Sequence, residues 1–290
     1  MKRIRVAVLA AFIVSSPALV APAIAPAAQP MRIVSLAPSV TETLFALGAG
    51  SEVVGVSQYC DYPPAANRLP RVGSFLMPNL EEIIALRPTL IIGLGLSSDL
   101  RQIHALRAIG YPVLLVSDDS LAQIEDSIIR VGREIGRDRD ANALVARLGA
   151  QVAAVRDRVK DEPLVRVLMV VGHQPMVAVG EGTFLSELLT IARGDNIASA
   201  SGGQWPQLSL EYIIAMRPDV ILDGSMGTDP ASPDHFWDRY SSIPAVRNHR
   251  VYGYSQDLML HSGPRVGESL EMIARMIHPK AFQSSKGAAK

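Results

Sequence analysis

The chain has 290 residues, of which 48% are apolar, 19% charged and 5% aromatic. This composition excludes a disordered protein, and the length favours two compact lobes over one minimal domain. The 28 Lys and Arg residues balance the 28 Asp and Glu residues, so no basic excess is available for binding nucleic acid. A single cysteine, Cys60, excludes an intramolecular disulfide and a zinc site built from several cysteines.

Residues 1–28 have the pattern of a secretory signal peptide. Lys2, Arg3 and Arg5 precede an apolar run, which is followed by small residues and proline. That run is too short to span about 30 Å of hydrocarbon, although a retained N-terminal anchor is the competing interpretation. Because no cysteine lies near the cleavage region, we expect no bacterial lipid anchor and a free periplasmic protein after cleavage.

From residue 32 onward, short β-rich runs alternate with helical patterns, as in successive βαβ units. Ser39 and Glu42 have the spacing of a capping box after the first β-rich run, and Gly48 and Gly50 are expected to end that first helix. Residues 29–119 are therefore predicted to form an N-terminal lobe with a parallel sheet. The β-rich runs of this lobe are RIVSLAP, EVVGVSQY, TLIIGLG and PVLLVSD.

Residues 120–162 are predicted to be a helical link between two lobes. Apolar residues recur every three or four positions, with the charged stretch GRDRD at 136–140 as an interruption. The second helix of this link, at roughly 20 residues and 1.5 Å per residue, would reach about 30 Å, which is enough to bridge two lobes. A C-terminal α/β lobe is predicted over residues 163–282, and a disordered tail over 283–290.

An internal repeat relates the two predicted lobes. LEEIIALRPTLII at 80–92 and LEYIIAMRPDVIL at 210–222 share eight identities in thirteen positions at an offset of 130. The runs RIVSLAP and RVLMVVG lie at nearly the same offset. The predicted fold class is therefore α/β, with two lobes that have central parallel-type sheets and are joined by a long helix.

The sequence carries no motif typical of catalysis. H-E-x-x-H, G-x-S-x-G, a Walker loop and a G-x-G-x-x-G after a strand are all missing. The six histidines include no pair at metal-ligand spacing except the distant His249 and His261. His173, which follows a β-rich run, and His261, in a loop bounded by Gly and Pro, are the better candidates among them. We expect neither an enzyme nor a metal site. The alternative function classes are an exported hydrolase and a structural or adhesive protein.

The loops that follow the predicted strands are the candidate ligand site, because ligands of open α/β sheets bind beyond the carboxyl ends of strands. These loops carry aromatic residues beside Gly and Pro, which suits an apolar pocket for a large flat ligand. Met77 and Met226 also lie in these loops. The residues predicted to bind ligand are Tyr59, Phe75, Leu94, His173, Trp205, Asp257, His261 and Arg265.

Five segments carry a family resemblance: SLAPSVTETLFALG, VGVSQYCDYPP, NLEEIIALRPTLII, WPQLSLEYIIAMRPDVIL and SGPRVGESLEMIA. Together they resemble the periplasmic substrate-binding proteins of ABC importers for corrinoids, haems and ferric siderophores. Y-x-D-Y-P-P and W-P-Q-x-S-x-E are most similar to the cobalamin-binding branch. The resemblance implies a class III periplasmic binding protein that acts as a monomer, holds ligand between its lobes and delivers it to an ABC permease dimer with a cytoplasmic ATPase.

By this resemblance, Tyr59 and Trp205 match aromatic residues that contact the corrinoid, and Asp257 falls where that branch has a ligand-contacting acid. Phe75 and Leu94 stand where the branch tends to have tryptophans, which reduces the aromatic surface for a corrin face. We expect cobalamin as the ligand and no resident cofactor.

Haem and ferric siderophores are the alternative ligands. Haem iron could take Tyr59, His173 or His261 as an axial ligand. His261 also stands where the cobalamin branch leads us to expect a basic residue. A hydroxamate or catecholate siderophore usually calls for several arginines, and only Arg265 is well placed.

Glu81 and Glu211 occupy the same position in the two copies of the repeat, after Asn79 and Ser209. An acid there stabilises a helix N-terminus by about 0.3 to 1 kcal/mol without any partner. The family resemblance implies instead that the two acids dock on arginines of the permease dimer. For Cys60 we expect the role of a small buried hydrophobe.

Overall fold

The computed structural model describes residues 30–95, 101–225 and 236–283. The predicted signal peptide, Met226 and all but the first residue of the predicted tail lie outside these residues. The chain from Met31 onward forms one compact unit, so the predicted lobe boundaries stay a prediction. Within the described ranges, no helix has both the length and the apolar character needed to cross a membrane.

The first sheet contains four parallel strands in the order β2-β1-β3-β4. The chain adds β2 on one side of β1 and β3 on the other, so the carboxyl ends of β1 and β3 flank a point where the strand order reverses. Such a point is where open α/β sheets bind ligands. The elements are β1 (Ile33–Ser35), α1 (Pro38–Ala46), β2 (Val53–Val56), α2 (Leu80–Ala85), β3 (Leu90–Leu94), α3 (Arg101–Ala108) and β4 (Val113–Val116).

Two helices follow the first sheet, as the periodicity predicts: α4 (Leu121–Glu134) and α5 (Asp138–Val159). The 22 residues of α5 correspond to a length of about 33 Å. A Cβ atom on Gly132 would lie 2.4 Å from the Cβ of Ala141, so only glycine permits this close approach of the two helices. The largest buried apolar cluster includes residues of α1, α4 and α5 and of the second half of the chain.

The second sheet contains five strands in the order β6-β5-β8-β9, with β7 paired to the first residues of β5. All pairs are parallel except β5 with β6, which is an antiparallel edge. Its strands are β5 (Val165–His173), β6 (Met176–Ala178), β7 (Gly194–Asn196), β8 (Val220–Asp223) and β9 (Val251–Gly253). The helices are α6 (Phe184–Ile191), α7 (Leu210–Met216), α8 (Pro244–Arg247), α9 (Gln256–Met259) and α10 (Val266–Ile277).

The sequence repeat is a structural repeat. Helix α2 precedes β3, which pairs with β1, just as α7 precedes β8, which pairs with β5. The Asn79 side chain accepts hydrogen bonds from the backbone N–H groups of Glu81 and Glu82 in α2, and the Ser209 hydroxyl accepts one from the N–H of Tyr212 in α7. The prediction that each copy is a helix feeding a strand is confirmed.

The capping box predicted at Ser39 and Glu42 is wrong. Pro38 is the first residue of α1 and Ala37 precedes it without a side-chain cap, so Ser39 lies inside the helix. Glu42 is 2% exposed and bonds to residues more than 200 positions away. The predicted end of the helix is confirmed, because α1 stops at Ala46 and Gly48 follows with a φ of +75°.

Candidate functional site

An exposed aromatic loop follows β2. Tyr59 and Tyr62 keep 49% and 44% of their surface exposed. The ring of Phe75 lies 6.4 Å from that of Tyr59, at an interplanar angle of 60°. The structure therefore brings together Tyr59 and Phe75, two of the aromatic residues predicted to bind ligand, and also exposes Tyr62, three residues after Tyr59.

The base of this loop is fixed by buried polar contacts. The Cys60 thiol is fully buried and lies within hydrogen-bond distance of the Thr41 and Ser57 hydroxyls, at 3.1 and 3.0 Å. Arg71 donates to the carbonyl oxygens of Ser57 and Cys60. Burial raises the pKa of the Cys60 thiol. Cys60 is thus the buried residue that the sequence predicts, and it anchors the loop that exposes Tyr59.

A buried ion pair joins α1 to the segment before α10. Arg265 donates from Nε and Nη2 to the two carboxylate oxygens of Glu42, at 2.7 and 2.6 Å. The Nδ1 atom of His261 lies 3.2 Å from the same carboxylate. The Arg265 guanidinium also lies over the Tyr62 ring, 3.9 Å from its centroid, and donates to the carbonyl oxygen of Asp257. Two residues predicted to bind ligand, His261 and Arg265, therefore meet at Glu42, which the sequence motifs did not indicate as a site residue.

The charge on Arg265 is held in place by this arrangement. Burial disfavours the cation, but the hydrogen bonds to Glu42 and the charge of Glu42 outweigh burial, so the pKa of Arg265 lies above its usual value. The Glu42 side chain is 1% exposed and that of Arg265 is 14% exposed. The pair therefore carries no net charge and has little contact with solvent.

A second contact joins the same segment to the first half of the chain. The Ser262 hydroxyl donates to the Asp118 carboxylate, and burial raises the pKa of Asp118. A Cβ atom on Gly263 would lie 3.3 Å from the Cα of Ser39, so the backbone approaches α1 closely. Leu94, Asp118 and Ser262 line a common small cavity, which places the predicted residue Leu94 next to this contact.

His173, at the end of β5, belongs to a separate polar and aromatic group. Its Nε2 atom lies 2.7 Å from the Asp223 carboxylate, and Trp237 donates to the same oxygen at 2.6 Å. The imidazole stacks on Phe236, with 4.0 Å between ring centroids. A carboxylate that fixes an imidazole in this way is the arrangement that orients histidines for metal or proton chemistry.

Trp205 and Asp257 are exposed at the second half of the predicted site. Trp205 keeps 46% of its surface exposed. Its neighbour Gln204 donates to the carbonyl oxygen of Gly182 and to the carboxylate of Asp119, which fixes the loop. Asp257 lies in the first turn of α9.

Glu81 and Glu211 are both exposed in the first turns of α2 and α7. The Glu211 carboxylate accepts hydrogen bonds from its own backbone N–H and from the Ser209 hydroxyl. These bonds lower the pKa of Glu211 below its usual value. Among the described residues, no group of three or more His, Cys, Asp and Glu side chains is arranged to hold a metal ion.

Sequence reasoning missed Glu42, Tyr62 and Asp223. Tyr62 lies in the same Y-x-D-Y-P-P motif as Tyr59, so its position in that motif was a usable signal for a site residue. Asp223 is the only charged residue of the strand VILD and stands at its carboxyl end, which is also a usable signal. Glu42 offered no such signal, because its partners come from the far end of the chain.

Comparison with known proteins decides the family. The sequence model described as "Periplasmic binding protein" matches residues 33–258. The chain belongs to that family. A relative from Bacillus subtilis (strain 168), the uncharacterized ABC transporter substrate-binding lipoprotein YvrC, is 33% identical over 264 residues, which cover 88% of this chain and 82% of the relative.

Two solved structures have the same fold. The apo form of the periplasmic haem-binding protein RhuT from Roseiflexus sp. RS-1 superposes with a TM-score of 0.76 at 29% identity, covering 87% of this chain and 99% of that one. The periplasmic vitamin B12-binding protein BtuF of Vibrio cholerae gives a TM-score of 0.78 at 26% identity, with coverages of 87% and 98%.

The fold is that of class III periplasmic binding proteins. Because the relatives bind solutes for ABC transporters, this chain is a substrate-binding protein of an ABC importer and not an enzyme. Its partners are the permease and ATPase of such an importer, and it works outside the cytoplasmic membrane. These findings agree with the family resemblance seen in the sequence.

Proposed function

We propose that this binding protein carries a corrinoid, cobalamin, through the periplasm as a monomer and delivers it to an ABC permease. The ligand would lie against the exposed aromatic loop of Tyr59 and Tyr62, with Phe75 and Leu94 on the same half. Trp205, Asp257 and His173 would contribute from the other half.

The observation that carries this proposal is the pairing of exposed aromatic rings with a neutralised cation. Tyr59 and Tyr62 offer apolar faces that a corrin ring can cover. Arg265, which supports Tyr62, is already paired with Glu42 and so does not call for an anionic ligand. Cobalamin carries amide side chains in place of free carboxylates and can bring its own axial base, so it needs neither a free arginine nor a protein ligand to its metal.

Haem is the second candidate, and the exposed Tyr59 phenol favours it. A phenolate in such a position is able to bind haem iron axially. His173 and His261 are less accessible, because each already contacts a buried carboxylate. The likeness to RhuT supports haem as the likeness to BtuF supports cobalamin.

Delivery would use Glu81 and Glu211 as a pair of docking acids, one on each half of the repeat. Paired surface charges guide encounter and fix register more than they add affinity. We further propose a free protein rather than a lipid-anchored one, unlike the Bacillus subtilis relative, since the only cysteine, Cys60, is buried in the fold.

An absorbance titration distinguishes the ligands. The protein purified after export is titrated with cyanocobalamin and separately with haemin. Saturable one-to-one binding of cyanocobalamin without a shift of the haem Soret band is the expected result. A Soret shift that disappears in Tyr59→Phe would indicate that haem is the ligand. If neither ligand binds, a ferric siderophore becomes the candidate ligand.

A further inference from the structure

Glu42 is a buried acid that neutralises Arg265 and makes no contact with ligand in the proposed function. It lies on α1 with 2% of its surface exposed, and burying a carboxylate is costly unless a cation and hydrogen bonds compensate it. The compensation comes from Arg265 and His261, which lie 223 and 219 positions later in the chain.

This ion pair lies beside the aromatic loop. Arg265 contacts the face of the Tyr62 ring, and Tyr62 is 44% exposed. The guanidinium therefore lies directly behind an aromatic side chain that is accessible to a ligand. Arg71, which donates to the carbonyl oxygens of Ser57 and Cys60 at the base of this loop, is also next to an acid, with 3.3 Å between its Nη2 atom and the carboxylate of Asp61. Arg265 and Arg71 are therefore each compensated by a carboxylate of the chain itself.

We propose that Glu42 is a specificity-determining residue, which neutralises Arg265 behind the aromatic loop and so favours ligands that carry amides over ligands that carry carboxylates there. This inference rests on the proposed corrinoid function and deepens it. Arg265 without Glu42 would attract a ligand carboxylate, whereas Glu42 without Arg265, left with only His261 beside it, would repel one.

A purely structural role for the pair makes a different prediction. If Glu42 only held α1 against the segment before α10, its loss would weaken the binding of all ligands by a similar factor. A role in specificity changes the ratio between two ligands that differ by one charge. It also requires that removing the acid and removing the cation move this ratio in opposite directions.

The experiment compares cyanocobalamin with its monocarboxylic acids, in which one side-chain amide is replaced by a carboxylate. Dissociation constants are measured by calorimetry for the wild-type protein, Glu42→Gln and Arg265→Met. Glu271→Gln, which removes an acid from an exposed pair with Arg275 on α10, is the matched control.

The wild-type protein should bind the amide more tightly than the acid. In Glu42→Gln the ratio of the two dissociation constants should fall by about tenfold for at least one of the monocarboxylic acid isomers. A change of this size corresponds to one charge-assisted hydrogen bond. In Arg265→Met the preference should grow, and in Glu271→Gln it should not change. If Glu42→Gln does not fold, the direction of the Arg265→Met change alone decides.

An unchanged ratio in Glu42→Gln, or a shift in the same direction in both variants, would overturn this inference and leave the corrinoid function standing. If the wild-type protein binds no cyanocobalamin, the proposed function fails and the inference fails with it.

Discussion

Arg87 and Arg217 adopt the same left-handed backbone conformation, with φ values of 46° and 50°. They lie 130 positions apart, at equivalent points of the repeat, and each follows the helix that begins with an exposed acid. A backbone conformation that is uncommon for arginine is thus preserved in both copies. The two copies present Glu81 and Glu211 on helices that have a side-chain cap before them and a left-handed arginine after them at equivalent positions.

The double variant Glu81→Ala with Glu211→Ala should abolish uptake of the ligand into cells and leave its dissociation constant unchanged. The reason is that both acids are exposed and the proposed docking, not ligand binding, depends on them. Uptake of labelled ligand and calorimetry of the purified protein measure the two effects separately.

Glu82→Ala is the matched control for this variant. Glu82 lies in the same first turn of α2, but its counterpart in the repeat is Tyr212 rather than an acid. We expect normal uptake for this control. Normal uptake by the double variant would contradict the docking role.

Glu42→Gln should lower the free energy of unfolding by about 3 kcal/mol, since it leaves the largely buried Arg265 without a charged partner. Glu271→Gln on α10 removes the acid of an exposed i, i+4 pair and should cost about 0.5 kcal/mol or less. Urea unfolding followed by circular dichroism measures both. Equal losses in the two variants would show that burial does not govern the Glu42 pair.

Asp118 should make the protein less stable as the pH rises. Burial raises the pKa of its carboxyl above the usual value of 3.8. At pH values just above 3.8, the folded state therefore binds more protons than the unfolded state. The contribution of this group to the free energy of unfolding therefore falls as the pH increases from about 4 toward neutrality.

Asp118→Asn removes this titration while keeping an oxygen that accepts from Ser262. Between about pH 4 and about pH 7, the variant should lose less stability, or gain more, than the wild-type protein. Unfolding curves at several pH values test this. Parallel pH profiles for the two proteins would contradict it.

Cys60 should be unreactive in the folded protein. The thiol is fully buried, and burial raises its pKa above the usual value of 9.0, so the reactive thiolate is scarce. A colorimetric thiol reagent should label the protein in urea but not under native conditions. Rapid labelling of the native protein would show that the base of the aromatic loop opens to solvent.

Local patterns in the sequence predict much of the fold. The alternation of strands and helices, the two helices over residues 120–162 and the repeat all follow from periodicity and spacing. Asn79 and Ser209 cap their helices because capping depends on the next two or three residues alone. Such features need no knowledge of distant parts of the chain.

Contacts between distant segments were not predictable in the same way. Ser39 and Glu42 have the spacing of a capping box, but α1 already begins at Pro38, and the Glu42 carboxylate pairs with Arg265, 223 positions later. His173 was predicted as a site residue, whereas its partners Asp223 and Trp237, 50 and 64 positions later, come from other elements. Contacts between side chains so far apart in the chain produce no periodic pattern in a single sequence.

Calorimetric titration with cyanocobalamin tests the central claim most directly, using the wild-type protein, Tyr59→Ala and Leu164→Ala. Leu164 is a matched control, because it is an exposed apolar residue at the start of β5, at the end of the sheet opposite the site. We predict saturable one-to-one binding that weakens by about tenfold or more in Tyr59→Ala, as expected for a central aromatic contact, and is unchanged in Leu164→Ala. No saturable binding by the wild-type protein, or equal affinity in Tyr59→Ala, would contradict corrinoid binding at the aromatic loop.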